Sequence, residues 1–309
     1  MQISVAVGVV QNKDGDYLIS KRHDHLHQGG LWEFPGGKLE PNETTYKALC
    51  RELFEELGIQ VKQAKPLVKI SHQYPDKNVV LNVWIVNQFE GCAQSLQGQP
   101  IKWVSLHELC NYDFPEANQT ILNRLLLPSI YAITGSFETN FEYISKFKTC
   151  LSQGIKLIQL RYHGDEETLL DLTKQSKVLC EKDNARLLVN ADVDFLDKCN
   201  VDGVHLNSKR LFNYSKRPID KNKLLAVSVH NEVELQQAHL LEADFIVISP
   251  VLKTSSHPDA KTLGWDIFKD LADQSSIPAF ALGGMTTSML QQAKISNAQG
   301  IAAISEFWK

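Results

Sequence analysis

Cysteine is scarce and unclustered in this 309-residue chain. Cys50, Cys92, Cys110, Cys150, Cys180 and Cys199 form no Cys-x-x-Cys pair, so neither a zinc site nor a disulfide framework is expected. A reducing, cytoplasmic setting fits that usage. No stretch reaches the roughly 18 continuous apolar residues of a membrane span, and the first ten residues carry neither a basic leader nor a cleavage region. Neither export nor membrane insertion is expected. Charge of one sign is missing too: 32 Lys plus Arg against 36 Asp plus Glu leave −4, too little to bind a nucleic-acid polymer. An anionic substrate must then be captured by a local site. What is present is a globular composition, 43% hydrophobic and 22% charged. The length suits two domains at about 150 residues each.

The two halves differ in texture. Residues 3–10 and Tyr17-Leu18-Ile19 look like strands joined by a turn at Asn12–Asp16. Over residues 44–57, Ala48, Leu49, Leu53 and Leu57 fall at helical spacing, with Gly58 as the stop. Strands follow at about 66–73, 79–89 and 101–104, then a helix over Asn118–Leu127 that Pro128 ends. Beyond Pro128, β-rich runs alternate with helical stretches: Ile130–Thr134, Ile155–Arg161, Arg186–Asn190, Gly203–Leu206, Leu224–Ser228, Phe245–Ser249, Ala279–Leu282 and Gly300–Ile304. The expected architecture is α/β and α+β in two domains, residues 1–128 and 129–309. Eight strands predict a (β/α)₈ TIM barrel for the second, although it is shorter than the roughly 250 residues usual for that fold. A doubly wound open sheet is the alternative, and both put chemistry at strand C-terminal ends.

The most informative stretch sets Gly37, Glu43, Arg51, Glu52, Leu53, Glu55, Glu56, Gly58 and Ile59 at fixed spacings around one helix. Glu52 and Glu56 are four apart and share a face, with Glu55 beside them. Like charges at that spacing oppose helix formation, which makes sense if divalent cations neutralise them. Hard carboxylate oxygens suit Mg²⁺, with Mn²⁺ as the alternative, and both bridge phosphate oxygens. Gly36-Gly37 lets a main-chain carbonyl approach the same metal, and Arg51 can pair with Glu43. A solvated acidic face would explain any two of these glutamates, not the whole pattern. His23, His25 and His27 alternate nearby, a spacing that reads as a solvated or phosphate-facing loop and not as a metal site.

That pattern matches the Nudix hydrolase box at every specified position, and residues 1–128 resemble the MutT-type 8-oxo-dGTP diphosphatases of that family. Ala6–Val10, Leu31–Lys38 and Asp113–Asn118 also agree. The resemblance implies a Nudix α/β/α sandwich and Mg²⁺-dependent cleavage of a small-molecule nucleotide to a monophosphate and pyrophosphate. It implies that Glu52, Glu55, Glu56 and the Gly37 carbonyl hold metal, with Glu43 and Arg51 in support. It also places Arg22, Phe34, Tyr74, Asp76 and Asn118 at the nucleotide pocket. For Asn118, helix N-capping is an equal reading. Two positions depart from the family: Gln97 replaces an additional metal or base glutamate, and Lys77 a base-flanking arginine. Either the helix glutamates suffice, or Glu90 or another acid substitutes, or turnover is reduced.

In the second half, Gln159-Leu160-Arg161, Asp202–Leu206, Ser228-Val229-His230, Ser249-Pro250-Val251 and Gly283-Gly284-Met285 stand at strand ends. Gly283, Gly284 and Ser305 can present backbone N–H groups and a hydroxyl to a phosphate. Together with Ile130–Thr134, these segments resemble the thiamine-phosphate synthase/TenI barrels over residues 130–306. The resemblance puts Gln159, Arg161, Asn190 and Ser228 at a pyrophosphate or pyrimidine site, Arg161 supplying the planar fork a diphosphate favours. Ala191 and Lys209-Arg210 stand where the synthase has metal acids, and His163 where it has a lysine. A thiazole or pyrimidine phosphate is the implied barrel ligand, and a synthase, a TenI-like isomerase or binding role, and a structural role are all readings of the barrel. Two alternatives stay open for the whole chain: a Nudix hydrolase of a thiamine-pathway diphosphate, and a barrel that senses a phosphate ligand without catalysis.

Overall fold

The computed structural model describes residues 2–24, 28–73, 78–254 and 261–309, and divides the chain into Met1–Leu127 and Pro128–Lys309. Tyr74, Asp76, Lys77, His25 and His27 lie outside the described residues.

The first unit is built from β1 (Gln2–Val10), β2 (Tyr17–Lys21), β3 (Trp32–Glu33), β4 (Gly36–Lys38), α1 (Thr45–Leu57), β5 (Gln60–Gln73), β6 (Asn78–Glu90), β7 (Ile101–Val104) and α2 (Glu116–Leu126). The main sheet runs β4-β1-β6-β5, with β1 and β6 parallel, and β3-β2-β7 form a second sheet. Alternation along β1 decides what covers each face. Ala6 and Val10 join Ala48, Leu49, Leu53 and Leu57 of α1 in one core. Val7 and Val9 join Phe34, Phe114, Ala117, Ile121 and Leu122 on the α2 side. The result is a helix-sheet-helix sandwich with α1 and α2 on opposite faces.

In the second unit β8 (Ile130–Ile133), β9 (Leu157–Leu160), β10 (Arg186–Val189), β11 (Gly203–Leu206), β12 (Leu224–Val229), β13 (Phe245–Ile248), β14 (Ala279–Leu282) and β15 (Gly300–Ala303) pair in parallel around a closed ring. Closure by β15 on β8, at Ile301 with Ile130, excludes the open-sheet alternative. The helices are α3 (Asn140–Ser152), α4 (Glu166–Lys182), α5 (Ser208–Leu211), α6 (Glu232–Leu240), α7 (Gly264–Asp273) and α8 (Leu290–Ile295). The barrel fits its short sequence because some connections are minimal: a 3₁₀ turn at Val193–Asp197 follows β10, and α5 is one turn. Tyr131, Phe245 and Phe280 meet edge to face or tilted inside the ring, so the lower barrel is filled. Among the described residues no helix is long and apolar enough to cross a membrane.

Candidate functional site

Helix α1 starts where the Thr44 side chain accepts the Lys47 N–H at 3.3 Å and stops at Gly58, whose left-handed φ of 71° lets its N–H close on the Phe54 carbonyl. With the Leu49/Leu53/Leu57 stripe buried, Glu52 and Glu56 face β4. The Gly36 N–H donates to Glu56 Oε2 at 3.1 Å. A Cβ on Gly36 would lie 2.1 Å from the Ala6 carbonyl oxygen, and one on Gly37 would lie 2.2 Å from Glu52 Cδ. Only two glycines let this backbone and these carboxylates share the space.

Arg51 ties the elements together. It donates bidentately to Glu43 at 2.9 and 3.0 Å, to Glu52 at 2.8 Å, to Glu55 at 3.2 Å and to the Lys38 carbonyl at 3.0 Å. The hydrogen bonds to Glu43 and Glu52 raise the affinity of Arg51 for its proton, and Arg51 in turn holds Glu43 below the usual carboxylate range. Glu55 stays half exposed. Among the described residues no three His, Cys, Asp or Glu side chains converge as a ready-made metal cage, because Glu52 and Glu55 turn to Arg51 and Glu56 to Gly36. The donor set nevertheless fits a hard divalent cation: three carboxylates share one guanidinium with Glu56 beside them, and the cradle beside Gly37 would be filled by any Cβ.

Glu56 is the buried member. Burial pushes its carboxyl up to about 8, the charges on Glu33 and Glu52 add to the effect, and the Gly36 hydrogen bond and Arg22 oppose it. A carboxyl raised in the folded state contributes stability that is complete below its ordinary value of 4.5 and is lost as pH rises through about 8. The melting temperature of this domain in EDTA is therefore expected to fall between about pH 5 and about pH 8.5, and Mg²⁺ to restore it at the alkaline end. Scanning calorimetry across that range checks this; a melting temperature that climbs with pH in EDTA would show that Glu56 ionises freely.

Beside the acidic cluster, Phe34 is buried and stacks on Phe114 at 5.5 Å. The Phe34 N–H donates to Asn118 Oδ1 at 3.1 Å. The N-capping reading of Asn118 is corrected: α2 begins at Glu116 after Pro115, so Asn118 already lies inside the first turn, and its side chain reaches across to Phe34, between β3 and β4, instead. Arg22 pairs with Glu33, whose carboxyl is raised by burial against the pull of Arg22. Glu33 was not singled out from sequence. Its signal was its place in the Leu31–Lys38 run, where β2–β3 pairing sets Ser20 opposite Glu33. Gln97 is exposed on a loop fastened to the end of α1 by Leu96 N–H to the Glu56 carbonyl at 3.0 Å. Glu90 pairs instead with Lys62 at 2.8 Å on the exposed β5–β6 ladder.

In the second unit the strand ends bring Gln159, Arg161, Asn190, Ser228, Gly283, Gly284 and Ser305 to the wall of one cavity of about 550 Å³. Among the described residues the Arg161 guanidinium has no hydrogen-bond or ion-pair partner, and its backbone is pinned by its N–H donating to Thr134 Oγ1 at 2.8 Å. Gly283 and Gly284 have φ of 104° and 68° and pack against Pro250 and Leu252, an approach a Cβ would block. Arg210 donates from Nη1 to Asn190 Oδ1 at 2.9 Å and from Nε to Asp192 at 3.2 Å. Asn190 Nδ2 donates to Gln159 Oε1 at 3.2 Å, and Gln159 Nε2 to the Tyr131 hydroxyl at 3.0 Å. That hydroxyl lies 3.3 Å from His205 Nδ1, and His205 Nε2 lies 2.8 Å from Ser228 Oγ. Ala191 is buried and Lys209 exposed. Tyr131, His205 and Arg210 were not assigned to a site from sequence.

Comparison with known proteins agrees with this division. Residues 6–124 match the model of the NUDIX domain, and residues 130–307 that of thiamine monophosphate synthase, TMP-TENI. The 8-oxo-dGTP diphosphatase of Escherichia coli is 36% identical over 124 residues, 40% of this chain and 96% of that protein. The CTP pyrophosphohydrolase of the same organism is 32% identical over 126 residues, 41% of this chain and 93% of that protein. A protein of Aquifex aeolicus provisionally named thiamine-phosphate synthase 2 is 32% identical over 182 residues, 59% of this chain and 98% of that protein.

Proposed function

This chain belongs to the Nudix hydrolases through its N-terminal domain and to the thiamine monophosphate synthase (TMP-TENI) family through its barrel; from that premise we propose that residues 1–128 form a Mg²⁺-dependent nucleoside triphosphate pyrophosphohydrolase whose preferred substrate is 8-oxo-dGTP. The products are 8-oxo-dGMP and pyrophosphate, which makes the role sanitation of a cytoplasmic nucleotide pool and fidelity of DNA replication. The observation that carries the reading is the Arg51 clamp, which gathers Glu43, Glu52 and Glu55 around one guanidinium while Glu56 lies against Gly36.

Glu52, Glu55, Glu56 and the Gly37 carbonyl are the groups that would hold the metal. A divalent cation bound there would offset triphosphate charge and acidify water. Glu56, whose proton affinity burial raises, is suited to take a proton from the attacking water. Arg22 and Phe34 border the nucleotide pocket, with Tyr74 and Asp76 assigned to it by family position. Because the Phe34 N–H occupies Asn118 Oδ1, the Asn118 Nδ2 donor is the group left for an acceptor on the base edge.

Asn118→Asp removes that donor at nearly constant shape. The preference for 8-oxo-dGTP over dGTP, as a ratio of kcat/KM, is expected to fall about tenfold or more. An unchanged ratio would move base selection away from Asn118. The likeness to a CTP pyrophosphohydrolase supports a second reading, a pyrimidine triphosphate substrate, so CTP belongs in the same assay. For the barrel, residues 129–309, we propose binding of a phosphorylated thiazole- or pyrimidine-type ligand at Gln159, Arg161, Asn190, Ser228, Gly283, Gly284 and Ser305.

A further inference from the structure

Building on that reading of the barrel, we propose that Arg210, through a one-way chain of hydrogen bonds, fixes the Ser228 hydroxyl as a donor into the cavity, so that the cavity takes, without a divalent cation, a phosphorylated ligand whose body presents an acceptor at Ser228.

The direction of the chain follows from its first link. A guanidinium has no acceptor, so the group 2.9 Å from Arg210 Nη1 must be the carbonyl oxygen of the Asn190 amide. Its NH₂ end then faces Gln159 and donates to Oε1, which turns the Gln159 NH₂ to the Tyr131 oxygen. With that oxygen already accepting, the Tyr131 O–H is directed to His205 Nδ1. His205 is fully enclosed, and burial together with Arg210 and Arg161 pushes it down to about 3, so the ring is neutral. A neutral ring that accepts at Nδ1 carries its proton on Nε2 and donates it to Ser228 Oγ. The hydroxyl, having accepted from His205, has its own hydrogen free for the cavity that it lines. Buried chains of this kind polarise in one sense and resist reversal, because each reversed link would set donor against donor.

The charge pattern of the cavity supports the rest. Its wall carries Arg161, His163 and Lys253 but no Asp or Glu among the described residues. Neighbouring carboxylates are engaged elsewhere, Asp192 by Arg210, Glu234 by His230 at 2.8 Å and Glu306 by Thr287 at 2.8 Å. A divalent cation finds no hard anionic ligand there, whereas an anion meets an unengaged guanidinium. Residues Ile133, Leu282, Met285, Ala302 and Ile304 supply the apolar wall for the body of the ligand.

The chain is read directly from the His205 tautomer. In ¹⁵N-histidine-labelled full-length protein, long-range ¹⁵N–¹H correlation is expected to show His205 with the proton on Nε2 alone; loss of the resonance in His205→Gln assigns it, and its displacement in Ser228→Ala is the second assignment should His205→Gln misfold. A proton on Nδ1, or an imidazolium at neutral pH, overturns the proposal. Arg210→Met is expected to give a mixture of tautomers and Arg210→Lys, which still donates to Asn190, to restore one; a single Nε2 tautomer in Arg210→Met also overturns it.

The ligand clause is tested by calorimetry in EDTA with benzyl phosphate and its 3- and 4-pyridylmethyl analogues, which differ only in a ring acceptor. At least one pyridyl compound is expected to bind about tenfold tighter than benzyl phosphate, with Ser228→Ala erasing the difference. Equal affinities overturn the donor assignment. Failure of every probe to bind overturns the ligand clause and the phosphate reading of the barrel together, while the tautomer still decides the chain by itself.

Discussion

Replacing Glu56 by Gln is expected to lower nucleoside triphosphate hydrolysis by about 10³-fold or more while raising the melting temperature in EDTA at neutral pH, because the amide is spared the cost of taking up a proton on folding. The two halves of that expectation come from one fact. The Glu56 carboxyl is buried and holds its proton up to about pH 8, so in the folded protein it is already close to a neutral amide. The Gln carbonyl can still accept the Gly36 N–H that Glu56 Oε2 accepts at 3.1 Å. Packing and backbone pairing therefore survive the substitution. What is lost is the ability to carry a negative charge toward a cation and to take a proton from water, and the amide does neither. Pyrophosphate release measured beside calorimetry separates these effects. Activity within tenfold of the unaltered protein would remove Glu56 from the chemistry, and a large drop in melting temperature would make its role structural.

Gly36→Ala is expected to act through the fold instead, destabilising the N-terminal domain by about 3–5 kcal/mol. Its φ of 145° is a backbone conformation that L side chains rarely adopt, and the added Cβ would meet the Ala6 carbonyl oxygen at 2.1 Å. That oxygen belongs to β1, which pairs with β4 on one edge and with β6 on the other. Relief requires β4 to leave its register opposite Val7, and the Glu56 hydrogen bond leaves with it. Hydrogen exchange under native conditions should show lost protection across β1 and β4 with the barrel strands unchanged. Protection in β4 equal to that of the unaltered protein would show that the strand has room for a side chain.

The parts of this molecule that were legible in the sequence are those whose signal is local. Gly37, Glu43, Arg51, Glu52, Glu55 and Glu56 lie within one loop and helix, so their spacing already implied a shared face, and the structure joins Arg51 to Glu43, Glu52 and Glu55. The eight barrel strands were legible because each is a short β-rich run followed by a turn, and the cavity residues sit where such runs end. Strands β3 and β4 were not, since two and three residues are too few to show alternation. Glu33 escaped for a related reason: its importance comes from the charges of Arg22 and Glu56, which only pairing of β2 with β3 and packing of α1 bring near. The capping reading of Asn118 depended on a helix that begins just after it, and the start of α2 at Glu116 removes that reading. The chain from Arg210 to Ser228 links positions 210, 190, 159, 131, 205 and 228, contributed by separate barrel elements, and no spacing along the sequence announces it.

A pyrophosphohydrolase for an oxidised purine nucleotide, built from the acidic face of α1 together with Phe34 and Asn118, is what we propose for residues 1–128. Its most direct test is a substrate profile of the intact chain with Mg²⁺, comparing 8-oxo-dGTP, dGTP, CTP and a pyrimidine diphosphate by kcat/KM and identifying the products. The highest value is expected for 8-oxo-dGTP, with 8-oxo-dGMP and pyrophosphate as the only products. A higher value for CTP, dGTP or the pyrimidine diphosphate, or release of orthophosphate from 8-oxo-dGTP, would contradict it.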